Sequence, residues 1–199
     1  MEPSRPGFIV GIGGSAGGLG AYKALLGSLS VDTGMAFVVV SHMMPTASSE
    51  LAQILSWHTE MPVIVASDGM RVRGNQVYVS SPNSDLLIEK DTLKVVIPRT
   101  SRNTEIDRFL ISLAEAGGAR AIGVIFSGYD GDGTEGCRRI KKEGGMTFAQ
   151  DESAEVNSMP LSAQASGSID FVLPPARIAK ELQKIASAAR RAKRDAPGP

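Results

Sequence analysis

The stretch FIVGIGGSAGG, Phe8 to Gly18, does most to limit what this chain can fold into. Phe8 to Ile12 is an apolar run without alternation, which predicts a strand buried on both faces, as in a parallel sheet. The run then breaks into paired glycines on either side of one serine, Ser15. Beyond Gly18, Leu19, Tyr22, Leu25, Leu26 and Leu29 recur at spacings of three and four, the period of a helix face. Ser15 therefore stands at a strand-to-helix turn. The helix N-terminus beside it offers free backbone N–H groups and the positive end of a dipole, both suited to an oxyanion.

Two chemistries fit this turn. Gly13-Gly14-Ser15-Ala16-Gly17 matches G-x-S-x-G, the elbow that exposes a nucleophilic serine. Gly11, Gly13 and Ala16 match the dinucleotide fingerprint G-x-G-x-x-A. The second reading requires an acid at the end of the next strand to hold a ribose. The next strand, Met35 to Val40, runs instead into Ser41 and His42, and Asp32 precedes it at the wrong end. A histidine delivered beside a serine favours hydrolysis over cofactor binding, and no cofactor is expected.

Bulk properties narrow the partners. The 199 residues suffice for one α/β domain with a sizeable core. Lys plus Arg and Asp plus Glu number 21 each, so neither nucleic acid nor a membrane surface is an expected partner, and direct membrane insertion is not expected either. Apolar runs fall well short of the roughly 20 residues that span a bilayer. The single Cys137 excludes an internal disulfide and suits a reducing compartment, and the N-terminus has no apolar signal region. A cytoplasmic protein is expected.

Taken in order, residues 1–7 read as a disordered lead-in, 8–187 as a single α/β domain, and 188–199 as a basic segment running into an Ala/Pro/Gly-rich tail or linker. Expected strands cover about 8–12, 35–41 and 61–65. A loop begins at His42, and Ser48 or Ser49 is placed to cap a helix ending near Trp57, which is expected to pack. From Gly69 to Ile97 the apolar period becomes two, with turns at Arg73-Gly74-Asn75 and Lys90-Asp91. This predicts an antiparallel β-meander inserted at about 69–97. A helix from Thr104 to Ala116 leads to the buried strand Ala121–Phe126. That strand empties into a second glycine-rich turn, Ser127-Gly-Tyr-Asp-Gly-Asp-Gly133. Helices at about 134–143, near Met159 and at 174–190, with strands at 146–149 and 169–172, complete a doubly wound, mostly parallel sheet with helices on both faces.

In such sheets ligands bind beyond the carboxyl ends of the strands. Three of these ends carry chemistry here: Ser15 after the first strand, His42 after the second, and Asp130 with Asp132 after the strand ending at Phe126. A serine hydroxyl needs an adjacent base, histidine has the pKa for that task, and a carboxylate behind the ring fixes its tautomer. Spacing alone leaves Asp130 and Asp132 equivalent. No metal is expected, because no further His, Cys or carboxylate surrounds the Asp-Gly-Asp-Gly turn and an EF-hand loop needs a Glu at its twelfth position. His58, in or just past a helix, reads as a surface residue, and Cys137 as a buried structural thiol.

Four segments, in this order and spacing, resemble one family. They are Ile9–Gly18, Val40-Ser-His-Met43 running on to Pro45, Ser127–Gly133, and Gln150-Asp-Glu152 with Met159-Pro160. Gly69–Val72 with Val77–Pro82 is similar as well. The resemblance is to the catalytic domain of the chemotaxis protein-glutamate methylesterases, the CheB family, and it spans about residues 8–185. It implies Ser15 as nucleophile, His42 as general base and Asp132, the aspartate of a Gly-x-x-x-Asp-Gly turn running from Gly128 to Gly133, as the acid. Ala16, Tyr129 and Met159 fall at the oxyanion site and pocket. The implied activity is hydrolysis of γ-glutamyl methyl esters on the cytoplasmic helices of methyl-accepting chemoreceptors, with deamidation of receptor glutamine in some members. Ala16 stands where many members carry Thr, and Tyr129-Asp130 replaces a common Met-Gly pair. Only seven residues precede the first strand, where members usually carry a receiver domain. In this respect the chain more nearly resembles the esterase modules of methylesterase–methyltransferase hybrids, so a methyltransferase domain or protein is an expected partner, and control by phosphorylation within this chain is not expected. The competing reading is a regulatory module of the same fold that binds a receptor or sibling domain with little or no catalysis.

Overall fold

A computed structural model describes residues 5–42 and 48–195. In chain order its elements are β1 (Ile9–Gly14), α1 (Gly18–Leu26), β2 (Ala36–Ser41), α2 (Ser48–Ser56), β3 (Val63–Val65), β4 (Gln76–Val79), β5 (Asp85–Glu89), β6 (Thr92–Val96), α3 (Glu105–Gly117), β7 (Ala121–Ile125), α4 (Thr134–Lys142), β8 (Met146–Gln150), α5 (Ser158–Ala165), β9 (Phe171–Leu173) and α6 (Pro175–Asp195). Seven strands form one parallel sheet in the order β3–β4–β2–β1–β7–β8–β9, and β5 pairs with β6 in a separate antiparallel hairpin.

Every residue of β1 is buried, which is why its apolar run shows no alternation. Parity decides the layers. Val10 and Ile12 join the core formed with α1, α2 and α6, whereas Ile9 faces the core formed with α3, α4, α5 and the hairpin. Gly11 and Gly13 share the face of Ile9, and α3 lies directly on them. A Cβ at Gly11 would stand 2.6 Å from Leu110 Cδ2, and one at Gly13 would stand 2.4 Å from Ile106 Cγ2. The glycines that mimic a dinucleotide fingerprint are thus required by the close approach of a helix to a strand.

Strand order fixes where a site can form. From β1 the chain lays β2 beside it, then β3 at the edge with β4 returning between β3 and β2, and finally places β7 on the other flank of β1. The switch point, where a crevice opens at the carboxyl ends, lies between β1 and β7.

Several expectations need correction. Val77 and Val79 belong to β4, which sits between β2 and β3 in the parallel sheet. The antiparallel part is the β5–β6 hairpin with one isolated bridge, Arg71–Thr92. A period of two marks extended chain but does not reveal the direction of its partner. Arg5–Gly7, expected within a disordered lead-in, is tied down: Arg5 Nε lies 2.6 Å from Asp91 Oδ2, and Gly7 N–H donates to Gly34 O. α6 continues through Asp195, past the expected boundary at 188. Trp57 is 70% exposed rather than packed. The loop expected after His42 falls at 43–47, outside the described residues, as do the side chains of Ser48 and Ser49 proposed as caps. Among the described residues, no helix is long and apolar enough to cross a membrane.

Candidate active site

Ser15 follows β1 on a turn shaped by Gly17, whose φ of 74° lies in the left-handed region that favours glycine. The turn is pinned to the end of β7. Ser15 N–H donates to Ser127 O at 2.8 Å, and Ser127 Oγ donates to Ala16 O at 2.8 Å. Ser127 is fully buried, and its Oγ also accepts the Val156 N–H at 2.9 Å, while its own N–H donates to Gln150 Oε1 at 3.1 Å. One serine thereby joins three segments beneath Ser15. Gly128 lies against Ser15, since a Cβ there would come 3.1 Å from Ser15 Cβ and 2.0 Å from Met159 Sδ. Met159 is fully buried, so it backs this turn and is not an open pocket wall.

His42 follows β2 and meets Asp132, which the 127–133 turn delivers from β7. His42 Nε2 lies 2.6 Å from Asp132 Oδ2. A carboxylate can only accept, so Nε2 carries the proton and Nδ1 is the basic nitrogen of the neutral ring. Asp132 is held in turn by the first turn of α3. Ile106 N–H donates to its Oδ2 at 3.0 Å and Asp107 N–H to its Oδ1 at 2.8 Å. A helix N-terminus thus stabilises the carboxylate as an anion. The pairing is reciprocal: the Asp107 carboxylate accepts the Gly136 N–H of α4 at 2.7 Å. Asp130, left open as an alternative by spacing alone, is exposed and adopts φ 66°. Its Oδ1 accepts the Asp132 N–H at 2.9 Å, an Asx turn that shapes the loop.

Burial alone would lower the His42 pKa, but the hydrogen bond and charge of Asp132, with the charges of Glu105 and Asp130, outweigh it and raise it above 6.5. Ser15 Oγ makes no hydrogen bond among the described residues, so the structure joins His42 to Asp132 but not Ser15 to His42. Hydrogen bonds of this type commonly tighten only when substrate binds. At the same rim, the N–H groups of Ala16 and Tyr129 have no acceptor among the described residues. The Tyr129 side chain is 64% exposed.

A second carboxylate was not foreseen. Glu105, the first residue of α3, is buried, and its Oε2 lies 3.5 Å from His42 Nε2 while its Oε1 accepts from Arg99 Nη1 at 2.7 Å. In the sequence Glu105 looks like an ordinary acid in a first helical turn, and Arg99 like part of a polar loop. Ligand atoms of His42, Glu105 and Asp132 lie within 4.8 Å of one another, close enough to hold an ion. The guanidinium on Glu105 and the two amides on Asp132 already satisfy these oxygens, so the donor set does not fit a resident cation. The other histidine, His58, is exposed at the far end of α2.

A chain-wide family model, CheB methylesterase, matches residues 10–182. The chain belongs to the CheB methylesterase family. The CheB fold is matched by the crystal structure of the Thermotoga maritima CheB methylesterase catalytic domain, with a TM-score of 0.83, 30% identity, and coverage of 91% of this chain and all of that one. A Leptospira interrogans relative named for both methylesterase and glutaminase activity is 34% identical over 85% of this chain and 90% of its own length. The Burkholderia thailandensis protein-glutamate methylesterase/protein-glutamine glutaminase 3 is 34% identical over 92% of this chain but only 53% of its own length.

Proposed function

We propose that this protein is a serine hydrolase that removes methyl esters from glutamate side chains of chemoreceptor helices in the cytoplasm, releasing methanol, and that it also deamidates glutamine there. The observation that carries this reading is the His42–Asp132 pair, 2.6 Å apart beside the turn that presents Ser15. In the mechanism Ser15 Oγ attacks the ester carbonyl while its proton passes to His42 Nδ1, the nitrogen left free by Asp132. Asp132 stabilises the resulting imidazolium without taking its proton. The oxyanion accepts from the backbone N–H groups of Ala16 and Tyr129, since Ala16 has no side-chain donor to add. Collapse expels methanol, protonated by His42, and leaves an acyl group on Ser15. Water then attacks with His42 again as base, releasing the glutamate carboxylate and restoring Ser15. With glutamine the leaving group is ammonia.

The names of the relatives and the family membership support this substrate class. A receptor methyltransferase, as a neighbouring domain or separate protein, would supply the ester that this reaction removes. The test is methanol release from a methylated receptor fragment, with fluorophosphonate labelling of the serine in parallel. Ser15→Ala should abolish labelling and lower the rate by several powers of ten. Full activity of that variant would end the proposal.

A further inference from the structure

The buried floor of the site holds more charge than one serine–histidine–aspartate relay needs. His42 Nε2 faces two carboxylates, Asp132 Oδ2 at 2.6 Å and Glu105 Oε2 at 3.5 Å. Both side chains are almost completely buried. One N–H donates well to only one of them. What separates them is Arg99, whose Nη1 takes Glu105 Oε1 at 2.7 Å, while Glu105 Oε2 accepts the Thr104 N–H at 3.0 Å. Arg99 is itself mostly buried and is anchored through its N–H to Asn83 O at 2.8 Å.

We infer that Arg99 is a positioning residue for the base: by binding Glu105 it keeps a second buried carboxylate from locking His42 as an imidazolium, and so leaves Nδ1 able to accept a proton at neutral pH. Charge counting shows why this matters. With His42 neutral, Asp132, Glu105 and Arg99 sum to one negative charge, and protonation of His42 brings the buried cluster to zero. Without Arg99 the resting cluster would hold two negative charges at low dielectric, and protonating His42 would relieve one of them at once. The base would then already be protonated when substrate arrives. The inference rests on the proposed role of His42 only for its consequence to catalysis; the electrostatics stand apart from it.

Among the described residues, the other charged groups around His42 are few. Asp130 lies on the rim of the 127–133 turn, and Asp107 stands behind Asp132 at the start of α3. Residues 43–47, which follow His42, carry no ionisable side chain. The Arg99–Glu105 pair is therefore the adjustable element.

The experiment is an NMR titration of the imidazoles in the full chain. Only two histidines are present, and exposed His58 provides an internal reference. Arg99→Gln should move the His42 midpoint up by at least about half a pH unit, Glu105→Gln should move it down, and the double variant should return it close to wild type. Arg99→Lys, which keeps the charge, should leave it nearly in place. The acid limb of the ester-hydrolysis pH profile should shift in parallel, a change that a purely structural role would not produce. An unmoved midpoint in folded Arg99→Gln, or no rescue by the double variant, overturns the inference. If Arg99→Gln fails to fold, Glu105→Gln alone decides, and an unmoved midpoint there also overturns it. Midpoints that shift as expected in an enzyme without esterase activity would sink the proposed function while leaving this electrostatic arrangement intact.

Discussion

Asp107 gives a pH dependence with a defined sign. Its carboxylate ties the start of α3 to the Gly136 N–H of α4, behind the aspartate that holds His42. Burial pushes its pKa up and the charge of Asp132 adds to this; the amides of Gly136, Gly133 and Glu135 oppose, and the balance lies at about 6 against an ordinary 3.8. A carboxyl whose pKa is raised on folding stabilises the fold while it is protonated, below the unfolded value. That stability is lost as pH rises through the folded value. At about 1.4 kcal/mol per pH unit the full loss would be about 3 kcal/mol. The carboxylate is partly open to solvent, which screens its charge and reduces the loss to about 1–2 kcal/mol. Asp107→Asn keeps an acceptor for Gly136 but cannot ionise. Its stability relative to wild type should therefore improve between pH 4 and pH 7.5 by that amount, or roughly 3–6 °C in Tm for a chain of this size. Differential scanning calorimetry of both proteins at the two pH values measures it, and the pH-independent cost of exchanging acid for amide cancels. A Tm difference that stays constant with pH, or moves in favour of wild type at pH 7.5, would refute the reasoning.

Further outcomes rest on the same geometry. In the proposed mechanism only neutral His42 accepts the serine proton, so kcat/KM for ester hydrolysis should rise with pH along an acid limb centred above 6.5, as the raised pKa requires; a limb below 6 would contradict it. Gly128→Ala places a Cβ 2.0 Å from Met159 Sδ and 3.1 Å from Ser15 Cβ. A displacement of Ser15, the proposed nucleophile, by about 1 Å costs on the order of 10²-fold, so methanol release should fall by about that factor while circular dichroism stays unchanged. Cys137 is fully buried and its thiol is pushed up by burial and by the charges of Asp107 and Asp170. It should resist a thiol reagent such as DTNB in the native state and react promptly in denaturant.

Much of the site was legible because local chemistry betrays position in the fold. The apolar run of β1 ending in glycines, and the run of β7 ending in Ser127–Gly133, announce strands that are buried and then stop. Residues just past such ends fall on the crevice side of a parallel sheet, which is how Ser15, His42 and the pair Asp130 and Asp132 could be nominated from the sequence, while the choice of Asp132 came from the family resemblance. The direction of pairing was less legible. Val77 and Val79 alternate like hairpin residues, yet β4 joins the parallel sheet, because period two reports extension and says nothing about the neighbouring strand. Trp57 misled for the opposite reason: its size suggests burial, but its place at the end of α2 leaves it in solvent.

By itself the sequence determined the alternation of strands and helices, the two glycine-rich turns and the residue types able to form a proton relay, because each is written in spacing along the chain. Only the tertiary structure decided that Nε2 of His42 serves Asp132 and leaves Nδ1 free, that the amides of α3 hold Asp132, and that Glu105 with Arg99 stands behind the ring. These contacts join residues far apart in sequence through the switch in winding at β1 and β7. Hydrogen bonds and charges act over a few ångströms of space, and no pattern along the chain encodes which groups will meet at that distance.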